Sequence, residues 1–197
     1  MADSEQTWWP APAKINLFLH VLGRRPDGYH DIQTLFQVLD WGDEIGVRVL
    51  DGPDIRRLPV NYGVPESEDL VSRAARLLQA EAGGRQGAEI AVRKRVPPGS
   101  GMGGGSSDAA TVLLVLNRLW NCQLCCGALA RLGRSLGADV PVFIYGFSSM
   151  ATGTGEKLEP CTLGSRHYVL VFPDFPIATR DVFEDPKLKR DSRLLSL

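Results

Sequence analysis

The sequence predicts an α+β fold, and three observations support that prediction. Segments that alternate between apolar and polar residues, as strands do, concentrate near the N-terminus. Helical patterns follow, but strands and helices do not alternate regularly as they would in a doubly wound parallel sheet. A chain of 197 residues, 44% hydrophobic and 23% charged, suits one globular domain, or one domain and part of another.

The individual elements follow from local patterns along the chain. Alternation predicts strands, apolar residues three to four apart predict helices, and glycine or proline marks their ends. The predicted strands are 14–21, 35–41, 44–50, 88–96 and 167–172, the last leading into the turn Pro173-Asp-Phe-Pro. The predicted helices are 69–82, closed by Gly83-Gly84, then a long helix that begins near residue 108, and finally 127–136.

The glycine-rich stretch from Pro97 to Ser107 is the most informative part of the chain. Five glycines fall between Gly99 and Gly105. Glycine lets main-chain N–H groups approach an anion and permits the positive φ angles that turn successive N–H groups inward. The stretch also leads into the N-terminus of a helix, where unpaired N–H groups and the helix dipole favour negative charge. The pattern predicts a phosphate-binding loop rather than a flexible linker, because a strand and an apolar helix hold it on both sides.

Two common phosphate-binding classes fit this loop poorly. A P-loop requires a lysine after its glycines, and none follows here. Gly99, Gly101 and Gly104 match the dinucleotide pattern G-x-G-x-x-G, but the preceding strand is partly charged and no acidic residue lies between Asp108 and Asp139. A nicotinamide-dependent oxidoreductase is therefore the weaker interpretation.

Composition argues against several other classes of protein. A net charge of −1 gives no long-range attraction to nucleic acid, although the short basic run 93–95 is a candidate lining for the entrance of an anionic ligand. No apolar run approaches the roughly 20 residues that span a bilayer, and no secretory signal pattern is present. We therefore expect a cytoplasmic protein. Cys122, Cys125, Cys126 and Cys161 lack a convincing metal pattern, so we do not expect zinc.

Five segments, in order, resemble the GHMP kinase superfamily, which includes galactokinase, homoserine kinase and mevalonate kinase. Residues 97–110 are similar to its second motif, P-x-x-x-G-[LM]-G-x-S-S, which wraps the phosphates of ATP. The other four are Pro12-Ala-Lys-Ile-Asn-Leu-Phe-Leu, Arg25-Pro-Asp-Gly-Tyr-His, Gln33-Thr-Leu-Phe-Gln and Leu136-Gly-Ala-Asp-Val-Pro-Val-Phe. The resemblance implies an ATP-dependent small-molecule kinase. Its implied acceptor is the 2-hydroxyl of a cytidine diphosphate-linked methylerythritol, in non-mevalonate isoprenoid precursor biosynthesis.

The resemblance also implies a two-domain architecture. Residues 1–163 correspond to the ribosomal-protein-S5-like N-terminal, ATP-binding domain, and residues 164–197 to the start of a second domain. The superfamily has a third glycine-rich motif near the nucleotide, whereas this chain has no glycine after Gly164. We therefore expect an incomplete C-terminal domain.

Site residues follow from the resemblance, position by position. It implies that Asp139 accepts the proton of the attacking hydroxyl and that Lys14 holds this carboxylate ionised. On local sequence alone, Asp139 could instead cap a helix, and Lys14 could be a solvated lysine on a strand. ATP would contact Pro97, Pro98, Gly99, Ser100, Gly101, Met102, Gly103, Gly104, Gly105, Ser106, Ser107 and Asp69. The acceptor would contact Asn16, Tyr29, His30, Phe36, Thr179 and Phe183, although core packing is an alternative for Phe36 and Phe183 and an exposed loop for Tyr29 and His30.

Mg²⁺ is expected together with ATP, because it neutralises the bridging phosphates, but the sequence does not show which residues would hold it. Three alternatives stay open beside the implied activity. They are a catalytically impaired nucleotide-binding fragment, a sister kinase that acts on a sugar, homoserine or mevalonate, and the oxidoreductase. The sequence does not define the oligomeric state.

Overall fold

Two long strands organise the fold. In the computed structural model, which describes residues 7–59, 69–172 and 179–195, β1 (Thr7–Arg24) and β2 (His30–Leu50) form an antiparallel hairpin. The register of the hairpin shifts at three places in β1, one of them between Pro12 and Lys14. Such bulges bend a strand and redirect its side chains, and this one lies where β1 meets the glycine loop.

The remaining described strands extend the sheet from the second edge of β2. Its C-terminal half pairs with β4 (Gly87–Arg93), which in turn pairs in parallel with β3 (Ile55–Arg57). Its N-terminal half pairs with β5 (Ser149–Gly153), followed by β6 (Lys157–Pro160). The six described strands therefore form one sheet in the order β3-β4-β2-β5-β6, with β1 paired to β2.

Helices pack against this sheet and bury the core. The described helices are α1 (Leu70–Glu81), α2 (Gly104–Leu119), α3 (Cys126–Leu136), α4 (Val140–Tyr145) and α5 (Thr179–Glu184). Helix α2 lies at the centre, because it contacts β1, β2 and the other three helices of the core. Leu113 and Leu116 are fully buried on it, together with Ile45 and Ile90 of the sheet. The glycine loop is thus anchored at one end to the most buried helix.

The predicted α+β class is confirmed. The strands near the N-terminus occur where they were predicted, although β1 and β2 are longer than predicted and β4 ends three residues earlier. The bounds of α1 and α3 agree within one residue, and α2 begins four residues earlier than predicted. The strands predicted over 35–41 and 44–50 are halves of the single strand β2. The strand predicted over 167–172 is wrong: this stretch has no regular structure, and Val169 and Val171 are 91% and 85% exposed. A short apolar run forms a strand only where a neighbouring strand is available to pair with it.

Sequence patterns did not predict five of the observed elements. Each has six residues or fewer, and they are β3, β5, β6, α4 and α5. The turn predicted at Pro173 lies outside the described residues. Within the described part of the chain, no helix is both long and apolar enough to cross a membrane.

Candidate active site around the glycine loop

The glycine loop adopts the backbone conformation that its sequence predicts. Gly99, Gly101 and Gly103 have φ angles of +73°, +74° and +74°, in the left-handed region that glycine tolerates best. Gly103 is the N-cap of α2, and no side chain caps the helix there. The first N–H groups of α2 are therefore available to an anion, and the helix dipole favours negative charge at this position.

Two cavities share the glycine loop as a common wall. A smaller cavity of about 380 Å³ is lined by loop residues 97–101 together with Lys94 and Asp108. A larger cavity of about 1110 Å³ is lined by the same loop residues and by Lys14 and Asp139. A phosphate chain that lies along the loop would therefore reach from one cavity to the other.

A buried ionic network lies at the base of the glycine loop, between the end of β4 and the start of α2. Asp43 on β2 accepts hydrogen bonds from the backbone N–H groups of Arg95 and Val96, directly before the loop. Lys94 forms ion pairs with Asp43 and with Asp108 in the first turns of α2, the latter at 2.9 Å. The network therefore ties β2, the end of β4 and the start of α2 together around the loop.

The charges of this network are strongly coupled. Burial raises the pKa of Asp108 to about 7, and the negative charge of Asp43 adds to that effect while Lys94 opposes it. Burial lowers the pKa of Lys94, but the charges and hydrogen bonds of Asp108 and Asp43 outweigh burial and leave it raised. Sequence reasoning did not predict this network, although the basic run 93–95, which includes Lys94, was identified as a candidate lining for an anionic ligand. Its members lie up to 65 positions apart and meet through the pairing of β2 with β4 and the packing of α2 against β2.

Lys14 and Asp139 form an ion pair on the wall of the larger cavity. Lys14 Nζ lies 3.4 Å from Asp139 Oδ2, with side chains 6% and 33% exposed. Asp139 occupies the N-cap position of α4, but none of the helix N–H groups donates to its carboxylate. Neither alternative interpretation therefore fits, because Asp139 does not act as a cap and Lys14 is not a solvated lysine.

The surroundings of Lys14 hold its ammonium group in place. Its backbone N–H donates to Met102 O in the glycine loop at 3.0 Å, at the bulge in β1. Nζ donates to Asn16 Oδ1 at 2.7 Å, and Asn16 Nδ2 donates to Thr34 Oγ1 at 2.7 Å. The Phe36 ring lies beside the same ammonium group, 5.2 Å from Nζ to the ring centroid. Two predicted acceptor contacts, Asn16 and Phe36, therefore also position Lys14.

The other predicted acceptor residues are only partly brought together. Phe183 lines the larger cavity and stacks on His30, with ring centroids 5.2 Å apart. His30 and Tyr29 do not line that cavity within the described chain, and Tyr29 is 68% exposed. Thr179 begins α5, but its side chain lies outside what the structure describes. His30 is instead bonded to Arg190, a residue that sequence reasoning missed.

Asp69 has both a structural position and a place beside the loop. It is the N-cap of α1, and its carboxylate accepts hydrogen bonds from the N–H and hydroxyl groups of Ser72. Arg57 Nε lies 3.6 Å from the same carboxylate. Asp69 also lines the smaller cavity, where the resemblance expected a nucleotide contact.

The four cysteines are free thiols. Cys125 and Cys126 are exposed, whereas Cys122 and Cys161 are partly buried. Among the described residues, no three His, Cys, Asp or Glu side chains are grouped so that they could hold a metal ion. The geometry of the described chain therefore gives these thiols no common site.

Known proteins are similar to this chain in sequence and in fold. Residues 69–147 match the GHMP kinases N terminal domain family. The 4-diphosphocytidyl-2-C-methyl-D-erythritol kinase of Xanthomonas axonopodis pv. citri is 53% identical over 191 residues, 96% of this chain and 65% of the relative. The enzyme of that name from Pseudoalteromonas atlantica is 48% identical over 194 residues, 98% of this chain and 68% of the relative. The chain thus spans about two thirds of the length of these relatives.

Solved structures agree with these matches. A crystal structure of 4-(cytidine 5'-diphospho)-2C-methyl-D-erythritol kinase superposes with a TM-score of 0.71 at 42% identity, covering 80% of this chain and 56% of the other. Lactococcus lactis galactokinase, complexed with galactose, has a TM-score of 0.57 at 19% identity, covering 79% and 47%, and supports the fold alone. The resemblance inferred from five sequence segments is confirmed. The chain belongs to the 4-diphosphocytidyl-2-C-methyl-D-erythritol kinase family, within the GHMP kinase superfamily.

Proposed function

We propose that this chain transfers the γ-phosphoryl group of ATP to the 2-hydroxyl of 4-diphosphocytidyl-2-C-methyl-D-erythritol, in the non-mevalonate route to isoprenoid precursors. One observation carries the proposal: the Lys14–Asp139 pair and the glycine loop line the same cavity. The relatives that bear the name of this kinase support the choice of acceptor.

The glycine loop is proposed to bind the triphosphate of ATP. Phosphoryl transfer depends mainly on positioning and on the stabilisation of charge, which preorganised N–H groups supply. The left-handed glycines and the uncapped start of α2 present such groups without rearrangement. The smaller cavity, which Asp69 and Asp108 line, is the proposed place for the base and sugar of ATP.

Asp139 is proposed to accept the proton of the attacking hydroxyl. Its carboxylate is partly exposed to the larger cavity, so an incoming alcohol has access to it. Lys14 would keep this carboxylate ionised and stabilise charge that develops during transfer. General-base assistance of this kind typically contributes about 10²–10⁴ in rate.

The larger cavity is proposed to hold the acceptor. Phe183, Phe36 and Asn16 line it, and its volume of about 1110 Å³ leaves room for a nucleotide-linked alcohol. Tyr29, His30 and Thr179 complete the proposed acceptor site. They would reach the cytosine end from the edge where Phe183 and His30 stack.

Mg²⁺ is proposed to accompany ATP, and the available donors fit that role. Mg²⁺ prefers oxygen ligands and keeps several waters, so it is often held by phosphates and only one or two protein groups. Ser106 on the smaller cavity and Asp139 on the larger one supply hydroxyl and carboxylate oxygens beside the shared loop. When bound, the ion would neutralise the bridging phosphates.

The predicted domain division stays a proposal: an ATP-binding domain over residues 1–163 and the start of a second domain over 164–197. It is supported by the end of the sheet at Pro160, after which no regular element occurs in the described chain before α5. The expected cytoplasmic location also stays a prediction.

Activity with a panel of acceptors tests this function. The purified 197-residue chain is incubated with ATP, Mg²⁺ and one acceptor, and ADP release is followed. The acceptors are 4-diphosphocytidyl-2-C-methyl-D-erythritol, homoserine, mevalonate and galactose, with the Asp139→Asn variant as the control for hydrolysis of ATP by water. We expect acceptor-dependent ADP release with the cytidyl compound and with none of the other three acceptors. Turnover with another acceptor would indicate a sister kinase, and ATP binding without turnover would indicate a nucleotide-binding protein without catalysis.

A further inference from the structure

Arg190 holds the segment that follows α5 in a closed turn. Its Nη2 donates to the carbonyl oxygens of Phe183 and Asp185 at 2.7 and 3.0 Å, and its Nη1 donates to Leu188 O at 3.0 Å. These carbonyls lie at and just beyond the C-terminal end of α5, where a cation is favourable. One half-buried side chain therefore fixes the backbone that carries Phe183.

The same guanidinium also contacts the ring of His30. Arg190 Nε donates to His30 Nε2 at 3.2 Å. Because a guanidinium is always charged and has no acceptor, Nε2 must offer its lone pair. The proton of the neutral ring then lies on Nδ1, for which the described residues provide no partner. Within the described chain, this N–H therefore remains available to donate to a ligand.

The charges around His30 favour this neutral form. Within the described chain, the charged groups that act on the ring are Arg190 and Arg24, which lies opposite His30 on β1. Burial lowers the pKa of His30, and the positive charges of Arg190 and Arg24 lower it further. The tautomer that the Arg190 contact requires is therefore also the charge state that the surroundings favour near neutral pH.

We propose that Arg190 is a positioning residue for recognition of the pyrimidine end of the acceptor. It fixes His30 as a neutral imidazole with its proton on Nδ1, and it holds Phe183 against that ring. This inference rests on the proposed function, because it assigns to the His30–Phe183 pair the cytosine end of the substrate. A neutral Nδ1–H donor suits a base that offers acceptors on its edge, as cytosine does through O2 and N3.

Nuclear magnetic resonance of the ligand-free protein tests the tautomer directly. The ring nitrogens of His30 are observed by ¹⁵N spectroscopy during a pH titration of the parent chain and of the Arg190→Met variant. We expect a protonated Nδ1 and an unprotonated Nε2 in the parent. In the variant, the pKa of His30 should rise towards its ordinary value of about 6.5, and the two tautomers should mix. Lys189→Met removes an exposed charge next to Arg190 and should leave the His30 spectrum unchanged.

Kinetics test the consequence for the substrate. In Arg190→Met, the KM for the cytidyl acceptor should rise roughly two- to tenfold, the size of a lost neutral hydrogen bond between His30 and the base, with kcat nearly unchanged. The rise should depend on pH around the titration of His30. It should also be non-additive with His30→Asn, because Arg190 would act through that ring.

Two results would overturn the inference. One is a His30 ring that keeps the same tautomer and pKa in Arg190→Met; the other is an additive double mutant with no change in the pH dependence of KM. If no acceptor is turned over at all, the proposed function fails, and the ligand-free spectra still decide the role of Arg190.

Discussion

The two sides of the candidate active site are built in different ways. The proposed nucleotide side is fixed by buried groups: Asp43 and Lys94 form ion pairs and hydrogen bonds at the base of the glycine loop, and α2 anchors its end. The proposed acceptor side depends on the 179–195 segment, which is mostly exposed over residues 181–195 and whose attachment is polar. Ser192 N donates to Val21 O at 3.0 Å, and Gln33 exchanges two hydrogen bonds with the backbone of Leu195.

In the proposed function, this difference separates the groups that carry out the reaction from those that select the acceptor. The groups proposed to position the phosphoryl group are held by the core, where rearrangement is costly. The groups proposed to recognise the acceptor are held by a few hydrogen bonds, so they are easier to displace. Substitutions on the proposed nucleotide side should therefore alter turnover, ATP binding or stability, whereas substitutions on the proposed acceptor side should alter mainly the KM for the acceptor.

The largest expected effect is at Asp139. Replacing it with asparagine removes the proposed proton acceptor while keeping the size of the side chain, so kcat should fall by about 10²–10⁴. ATP affinity, measured by calorimetry, should change little, because the loop is supported elsewhere. Equal losses of affinity and rate would show that Asp139 organises the site rather than taking part in the reaction.

The next effect is expected at Gly103. Its φ angle is +74°, and an added Cβ would lie 2.9 Å from the ring of Phe143. Backbone strain of about 1–2 kcal/mol and overpacking of about 1–3 kcal/mol should together weaken ATP binding in Gly103→Ala at least tenfold and lower Tm.

A matched substitution separates strain from phosphate binding. Gly84 has a φ angle of +76° and open space around its Cβ position, and it lies after α1, outside the loop. Gly84→Ala should lower Tm by backbone strain but leave ATP affinity unchanged. If both variants bind ATP as the parent does, the loop does not contact the nucleotide.

A smaller effect is expected from Phe183→Ala on the acceptor side. Stacking of a base on an aromatic ring contributes about 1–3 kcal/mol, so the acceptor KM should rise by about 5–150-fold while the KM for ATP stays the same. Steady-state kinetics with each substrate varied in turn measure both values. A rise in the KM for ATP of similar size would remove the distinction between the two sides.

The smallest effect on turnover is expected from Asp108→Asn. This substitution should instead change how Tm depends on pH. The pKa of Asp108 is raised to about 7, so the folded state binds this proton more tightly than the unfolded state. Stability contributed by the protonated form is therefore lost as pH rises from about 4 to about 7. The variant lacks this loss, so its Tm relative to the parent should increase between pH 5 and 8.

The control for this pH trend is Asp27→Asn. The neighbouring Arg25 lowers the pKa of the exposed Asp27, so that carboxylate stays ionised throughout the same range. Its substitution should shift Tm by a constant amount. A constant shift in Asp108→Asn as well would mean that Asp108 does not titrate near neutral pH.

Local patterns predicted those parts of the protein that local forces determine. The left-handed glycines, the start of α1 at Asp69 and the strands of the hairpin all follow from neighbouring residues. The pairing of Lys14 with Asp139, 125 positions later, came from family resemblance, because no local pattern connects two such distant residues.

Long-range contacts explain what sequence reasoning missed. The Asp43–Lys94–Asp108 network requires both the pairing of β2 with β4 and the packing of α2 against β2, and Arg190 meets His30 because the 179–195 segment returns to the hairpin. The incorrect strand at 167–172 has the same origin. Its short apolar run is typical of a strand, but none of the described strands pairs with it.

The most direct test of the central claim is a crystal structure of this chain with a non-hydrolysable ATP analogue and the cytidyl acceptor. The account predicts that the triphosphate follows the backbone of residues 99–104. It also predicts that the 2-hydroxyl lies about 2.6–3.2 Å from the Asp139 carboxylate and about 3–3.5 Å from the γ-phosphorus. A triphosphate that leaves the glycine loop, or an acceptor hydroxyl beyond the reach of Asp139, would contradict it.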